Sequence, residues 1–112
     1  MSRITTHVLD TSRGRPAEGV KAVLCRMKVE DWEVVAEGQT NAEGRIMDWA
    51  VDEDLVEEGV YMLRFETRSY FEKLGTSSFY PFVEVHFEII SESHYHIPLL
   101  LSPFGYSTYR GS

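Results

Sequence analysis

Alternation of apolar and polar residues with a period of two is the feature that most restricts the fold of this chain. Tyr61, Leu63 and Phe65 occupy alternate positions in one run, and the stretch from Val83 to Ile89 repeats the pattern. Such alternation is typical of β-strands with one buried face. Turn signals separate the runs by about eight to fifteen residues, so the sequence predicts an all-β protein of two packed sheets.

Shorter runs bring the predicted total to about eight strands. In the second strand, Val23, Cys25, Met27 and Val29 share one side, so Cys25 is interpreted as a core thiol rather than a nucleophile. The acidic stretch 52–58 is interpreted as a loop or a single helical turn. The additional strands are predicted over residues 4–9, 20–29, 32–37, 45–47, 94–101 and 106–112.

One short helix is predicted between the two alternating runs. Tyr70, Phe71 and Leu74 fall at helical spacing within residues 68–74. Thr67 precedes them as a candidate N-cap, and Gly75 follows as a candidate C′ residue. The sequence therefore predicts one helix in an otherwise all-β chain.

Length, charge and cysteine content set the broad class of the protein. The 112 residues fit a single domain, 1–112. A net charge of −7 argues against nucleic acid or an anionic membrane surface as the main partner. With one cysteine, no intramolecular disulfide can form, and the N-terminal residues contain no long apolar run. We therefore expect a cytoplasmic protein without a membrane partner.

Histidines on the outward faces of two predicted strands are the first candidates for chemistry. In strand 94–101, alternation assigns Tyr95, Ile97, Leu99 and Leu101 to the core, which leaves His96 outside with Pro98 and Leu100. An outward face with leucine and proline beside a histidine indicates a surface covered by a ligand or a partner subunit. His7 shares its face with Thr5 and Leu9 in the same way. Alternation alone leaves open whether these histidines form a site.

Other candidates have ordinary structural interpretations. His86 lies between Glu84 and Glu88 and is expected on the solvated surface, as is His94. His94 and His96 with His7 could form a three-histidine metal site, but the spacing fixes no acidic or thiol ligand nearby, so no metal is predicted. Arg45 after a turn glycine is usually a surface residue. The polar and aromatic tail, residues 107–112, is either disordered or docked onto another surface.

Four stretches of sequence resemble one known family. They are ITTHVLD near the start, GRI after the NAEG turn, FYPFVEVHF, and YHIPLLLSPFGYSTYRGS at the end. These stretches resemble the 5-hydroxyisourate hydrolases, the enzyme branch of the transthyretin family, and the similarity covers essentially the whole chain. The resemblance implies a transthyretin (prealbumin)-like two-sheet β-sandwich of about eight strands with one short helix.

The resemblance also implies residue roles. The family's N-terminal histidine falls on His7, its arginine after the turn glycine on Arg45, and its strand histidine on His96. Its terminal Tyr-Arg-Gly-Ser motif falls on Tyr109 through Ser112. The first three are the implied catalytic residues, and His7, Arg45, Tyr109 and Ser112 are the implied substrate-binding residues. In the hormone-carrier branch, a lysine and a threonine replace the two histidines, and the tail differs.

The activity implied by the resemblance is metal-free hydrolysis of 5-hydroxyisourate in the urate-to-allantoin pathway of purine breakdown. The product is 5-hydroxy-2-oxo-4-ureido-2,5-dihydro-1H-imidazole-5-carboxylate, and no cofactor is expected. The implied assembly is a homotetramer, a dimer of dimers, with the His7 and His96 face lining a channel between dimers. The alternatives are a non-catalytic small-ligand carrier using the same channel and a β-sandwich module without a ligand.

Overall fold

Strands with one buried face form two sheets that pack against each other in a β-sandwich. The computed structural model describes residues 4–49, 56–91 and 93–112. The predicted all-β fold class with one short helix is confirmed. In chain order, the described elements are β1 (Ile4–Asp10), β2 (Arg15–Pro16), β3 (Lys21–Met27), β4 (Trp32–Gln39), β5 (Arg45–Ile46), β6 (Gly59–Phe65), α1 (Thr67–Lys73), β7 (Val83–Ile89), β8 (Tyr95–Ser102) and β9 (Gly105–Thr108).

The first sheet brings distant parts of the chain side by side. Its strands follow the order β2-β1-β8-β9, and β5 also pairs with β1. The pairing of β1 with β8 is parallel, whereas β5 and β9 pair with their neighbours in antiparallel fashion. The second sheet has the order β4-β3-β6-β7. Segments from both ends of the chain therefore become neighbours in the first sheet.

The core lies between the two sheets and follows the predicted alternation in the later strands. Tyr61, Leu63 and Phe65 on β6 are at most 1% exposed. On β8, the four residues assigned to the core are all buried, which confirms the alternation there: Tyr95, Ile97, Leu99 and Leu101. The other face of β8, which includes His96, is left on the outside of the sandwich.

The prediction for β3 was wrong about which face enters the core. Val20, Ala22 and Leu24 belong to the core cluster, whereas Val29 is fully exposed and Met27 is 49% exposed. Both sets alternate, so the sequence alone supports either face. A β-bulge between residues 24 and 25 also shifts the register. Cys25 is buried but outside the core cluster, and burial raises the pKa of its thiol, which keeps the thiol protonated.

The helix begins one residue earlier than predicted. Thr67 is its first residue rather than its N-cap, and Glu66 at the cap position makes no side-chain capping hydrogen bond. The helix end agrees with the prediction, because Gly75 has a positive φ of 70° and its N–H donates to the carbonyl of Glu72.

Of the acidic stretch 52–58, residues 52–55 lie outside the described residues. In the described part of the chain, no helix has the length and apolar character needed to cross a membrane.

Candidate active site

Three adjacent strands place the predicted catalytic residues on one face of the first sheet. His7 on β1 lies opposite Arg45 on β5 and opposite Pro98 on β8. Thr5, two positions before His7, lies opposite His96. Paired residues project from the same face of a sheet, as do residues two apart on a strand. The structure therefore brings His7, Arg45 and His96 together on the face that points away from the core.

A tight turn before β5 sets the position of Arg45. The side-chain oxygen of Asn41 accepts hydrogen bonds from the backbone N–H groups of Glu43 and Arg45, at 2.9 and 3.0 Å. Gly44 has a φ of +77°, and a side chain there would collide with the carbonyl oxygen of Val8. Only glycine combines this backbone conformation with so close an approach to β1. The turn therefore holds Arg45 beside the first strand.

His7 has one ring nitrogen fixed by the same turn. Its Nε2 lies 2.9 Å from the carbonyl oxygen of Glu43. A carbonyl can only accept, so Nε2 carries a proton and Nδ1 is the acceptor in the neutral ring. Burial, followed by the positive charge of Arg45, lowers the pKa of His7, while the interaction with Glu43 opposes the shift. The half-buried imidazole is therefore neutral near pH 7, and its lone pair is on Nδ1.

His96 lies in a similar environment. Its Nδ1 is 2.8 Å from the buried hydroxyl of Thr5. Burial lowers the pKa of His96, and the charges of Arg45, His94 and His7 lower it further. Arg45 thus acts electrostatically on both imidazoles. The three residues form one electrostatic unit that favours two neutral histidines next to a permanent cation.

The C-terminal tail is docked against β8. The predicted strand 106–112 was too long, since β9 ends at Thr108 and is followed by an isolated bridge between Gly111 and His96. The N–H of Gly111 donates to the carbonyl of His96 at 2.8 Å. A Cβ on Gly111 would lie 2.5 Å from Cδ2 of the His96 ring. Gly111 is therefore in direct contact with the imidazole, which sequence reasoning missed.

Two further tail residues, Tyr109 and Arg110, line a cavity that also includes His96 and residues of β7. Tyr109 is 57% exposed and lines a cavity of about 330 Å³ together with His96 and Arg110. The guanidinium of Arg110 lies 4.6 Å above the ring of Tyr95. The lining of this cavity does not include His7 or Arg45. Ser112 is exposed. Within one protomer, Tyr109 therefore shares a cavity with one of the three predicted catalytic residues.

The two remaining histidines differ in their surroundings. His86 stacks on Trp32 in the second sheet, with ring centroids 5.3 Å apart, and is exposed as expected. His94 is also exposed, but its Nε2 lies 2.9 Å from the hydroxyl of Thr5. His94 is thus linked to His96 through the hydroxyl of Thr5.

The described residues contain no group of three or more His, Cys, Asp or Glu side chains placed to hold a metal ion.

The pKa shifts predict the acid side of a pH–rate profile. Both histidine pKa values are lowered from 6.5, so the neutral form of each persists below that pH. If a neutral imidazole accepts a proton in the reaction, kcat/KM should remain high as the pH falls and decline only below about pH 6.5. Initial rates measured between about pH 5 and 9, with the spontaneous reaction subtracted, test this expectation. A loss of kcat/KM that already begins above pH 7 as the pH is lowered would contradict it.

Comparison with known proteins shows which sequences and structures the chain is similar to. Residues 4–111 match the HIUase/Transthyretin family. A probable 5-hydroxyisourate hydrolase of Schizosaccharomyces pombe is 48% identical over 112 residues, covering 97% of this chain and 90% of the relative.

Solved structures of both branches share the fold. The 5-hydroxyisourate hydrolase of Klebsiella pneumoniae superimposes with a TM-score of 0.85 at 39% identity, covering 97% of this chain and 98% of that one. Sea bream transthyretin in complex with thyroxine has a TM-score of 0.91 at 32% identity, covering 97% and 94%. The backbone alone therefore does not distinguish the hydrolase from the thyroxine-binding protein. The choice of function for this chain depends on the side chains of the first sheet.

Proposed function

Since the chain belongs to the HIUase/transthyretin family, we propose that it hydrolyses 5-hydroxyisourate in the degradation of urate. The observation that supports this function best is the grouping of His7, Arg45 and His96 on one face of three adjacent strands. Two neutral imidazoles beside a guanidinium can move protons and hold a carbonyl or anionic edge. The relatives named 5-hydroxyisourate hydrolase agree with this assignment.

The proposed reaction is transfer of an acyl group from a ring nitrogen to water. Hydrolysis of a cyclic amide needs a base for the water, a cation or donor for the developing oxyanion, and a proton for the leaving nitrogen. His7 and His96 share the roles of base and acid. Water attacks directly, without a covalent intermediate, because Cys25 lies on β3 in the second sheet and its buried thiol stays protonated.

Arg45 and the tail bind the substrate in this proposal. The guanidinium of Arg45 is always charged and offers a planar fork of donors to the substrate's carbonyl or anionic edge. Tyr109 covers the pocket next to His96, and the hydroxyl of Ser112 orients the water. The hydrogen bond from Gly111 to His96 supports this arrangement, because it anchors the tail beside the catalytic face. The reaction needs no metal or other cofactor.

A non-catalytic carrier of small ligands is the alternative function. It is supported by the structural similarity to sea bream transthyretin, which was solved in complex with thyroxine. The paired neutral histidines argue against it, since binding alone requires no groups poised to exchange protons. Freshly prepared 5-hydroxyisourate, mixed with the protein and followed by its ultraviolet decay against a protein-free blank, tests the two functions. Faster decay proportional to protein concentration supports the hydrolase, and decay at the blank rate overturns it.

We further propose that the 1–112 chain is a single cytoplasmic domain that assembles as a homotetramer, a dimer of dimers. Leu9 and Leu100 remain only half-buried on the His7 and His96 face, which leaves apolar surface for a second dimer to cover. Pro98 was expected to add to this exposed surface, but it is already buried within one protomer. The free thiol of Cys25 is compatible with a reducing compartment.

Sedimentation should give a mass of about 52 kDa, four times the 12.9 kDa of one chain. The reason is the uncovered apolar surface around Leu9 and Leu100. Analytical ultracentrifugation at micromolar concentration measures the mass directly, and replacing Leu100 by glutamate should shift it toward the dimer. An active monomer of the unmodified chain would contradict a catalytic channel between dimers.

A further inference from the structure

The hydroxyl of Thr5 connects two histidine rings. Thr5 is completely buried, and its Oγ1 lies 2.9 Å from Nε2 of His94 and 2.8 Å from Nδ1 of His96. The two rings are nearly parallel, with an interplanar angle of 16° and centroids 6.3 Å apart. Both distances are typical of hydrogen bonds. The three side chains therefore form a continuous chain of hydrogen-bonding groups.

Two arrangements of protons allow transfer along these three side chains. A hydroxyl donates one proton, so a proton can pass between the rings only when Thr5 donates to one ring and accepts from the other. When Thr5 donates to His94, His96 donates through Nδ1 and its Nε2 is a free acceptor. When Thr5 donates to His96, the proton of that ring is on Nε2, and His94 donates through its own Nε2. In either arrangement, the two neutral rings carry their protons on the same nitrogen type.

We propose that His94, Thr5 and His96 form a proton relay that links the catalytic imidazole to solvent. The inference rests on the proposed hydrolysis with His96 as acid or base. His94 is the exposed end of the relay, His96 is half-buried, and Thr5 between them is shielded from water. His94 and Thr5 act through His96 and are positioning residues in this reaction.

The relay conserves protons in both halves of the reaction. As water attacks, its proton passes to Nε2 of His96, and the Nδ1 proton of that ring moves to Thr5. The proton originally on Thr5 moves to Nε2 of His94, whose Nδ1 proton is released to solvent. His96 then holds a proton on Nε2 that it can give to the leaving nitrogen. The relay returns to its first arrangement when solvent supplies a proton to Nδ1 of His94.

The relay moves positive charge away from Arg45. A second proton retained on His96 would make an imidazolium beside the permanent charge of Arg45, in a partly desolvated position. Passing the charge to exposed His94 places it in water, where it is better solvated. The relay therefore allows His96 to accept a proton without holding a positive charge next to Arg45.

Variants of Thr5 separate its hydroxyl from its shape. Thr5→Val keeps the β-branched side chain of a buried strand position but removes the hydroxyl, and Thr5→Ser keeps the hydroxyl. We expect Thr5→Val to lower kcat by about tenfold or more, with a small change in KM, because general acid–base catalysis supplies factors of about 10² or more. Thr5→Ser should recover most of the rate. Equal rates for the valine and serine variants would overturn the relay.

Variants of His94 separate proton transfer from hydrogen bonding. His94→Gln can still bond the Thr5 hydroxyl but cannot take up and release a proton, so kcat should fall. Lys28→Gln, at an exposed position just after β3 that does not line the cavity beside His96, is the control and should keep the rate of the unmodified protein. Because position 94 is exposed, free imidazole added to His94→Ala should restore part of the lost rate. Full activity in His94→Gln would overturn the relay.

Nitrogen NMR of the histidine rings tests the relay without substrate. In the unmodified protein, the relay requires the neutral rings of residues 94 and 96 to have the same tautomer, and Thr5→Val should uncouple them. Opposite tautomers in the unmodified protein would contradict the proposal. Failure of the unmodified protein to accelerate 5-hydroxyisourate decay would instead reject the proposed function, so the two failures are distinguishable.

Discussion

Replacing His96 by asparagine is expected to lower kcat by about 10² or more, the usual contribution of general acid–base catalysis. Asparagine can still hydrogen-bond the Thr5 hydroxyl, but it has no nitrogen that accepts and returns a proton near neutral pH. The ring of His96 lies on the face away from the core, so its removal should leave no core cavity. Steady-state rates from the ultraviolet assay measure the effect.

The same variant needs a test of its fold. Circular dichroism, the melting temperature and the sedimentation mass should all match those of the unmodified protein, because the core residues on either side, Tyr95 and Ile97, are unchanged. Lys28→Asn, at an exposed position just after β3, controls for a surface substitution away from the cavity that His96 lines. If His96→Asn retains full activity at unchanged mass, His96 has no part in the mechanism.

Local pattern was sufficient to predict much of the fold. The core faces of β6, β7 and β8 follow from period-two alternation, because each strand has one strongly apolar side. In β3 and the residue before it, Val20, Ala22 and Leu24 alternate with Val23, Cys25 and Met27, so both sides have apolar residues. Which side enters the core depends on pairing with β4 and β6 and on the bulge after Leu24, and those contacts are not encoded in the strand itself.

The candidate site was only partly predictable for a related reason. Alternation identified His7 and His96 as outward residues on apolar strands, but it did not show that their strands are neighbours. Arg45 lies on a two-residue strand with too little pattern to assign, and only the family resemblance selected it. The hydrogen bonds of Thr5 to His94 and His96 span 89 and 91 residues. No local signal predicts contacts at that separation.

Substitution of Gly111 by alanine is expected to have the second largest effect on activity. The added Cβ would lie 2.5 Å from Cδ2 and 3.1 Å from Cγ of His96, so the imidazole or the tail has to move. Displacement of a catalytic group by about 1 Å can reduce a rate by about 10². We therefore expect kcat to fall by about that factor in the ultraviolet assay. The melting temperature should change little, because the position follows the last strand and lies outside the core cluster.

Gly105 provides a matched control in the same hairpin. A Cβ there would meet only the hydroxyl of Ser102, at 3.7 Å, which is an ordinary van der Waals contact, and its φ is not positive. Gly105→Ala should therefore keep full activity, which shows that an extra methyl group near the C-terminus is harmless in itself. The kinetic pattern of Gly111→Ala then locates the damage. A fall in kcat at constant KM indicates a misplaced His96, and a rise in KM alone indicates a tail that only binds substrate. Normal kinetics in Gly111→Ala would show that the tail can yield without moving the imidazole.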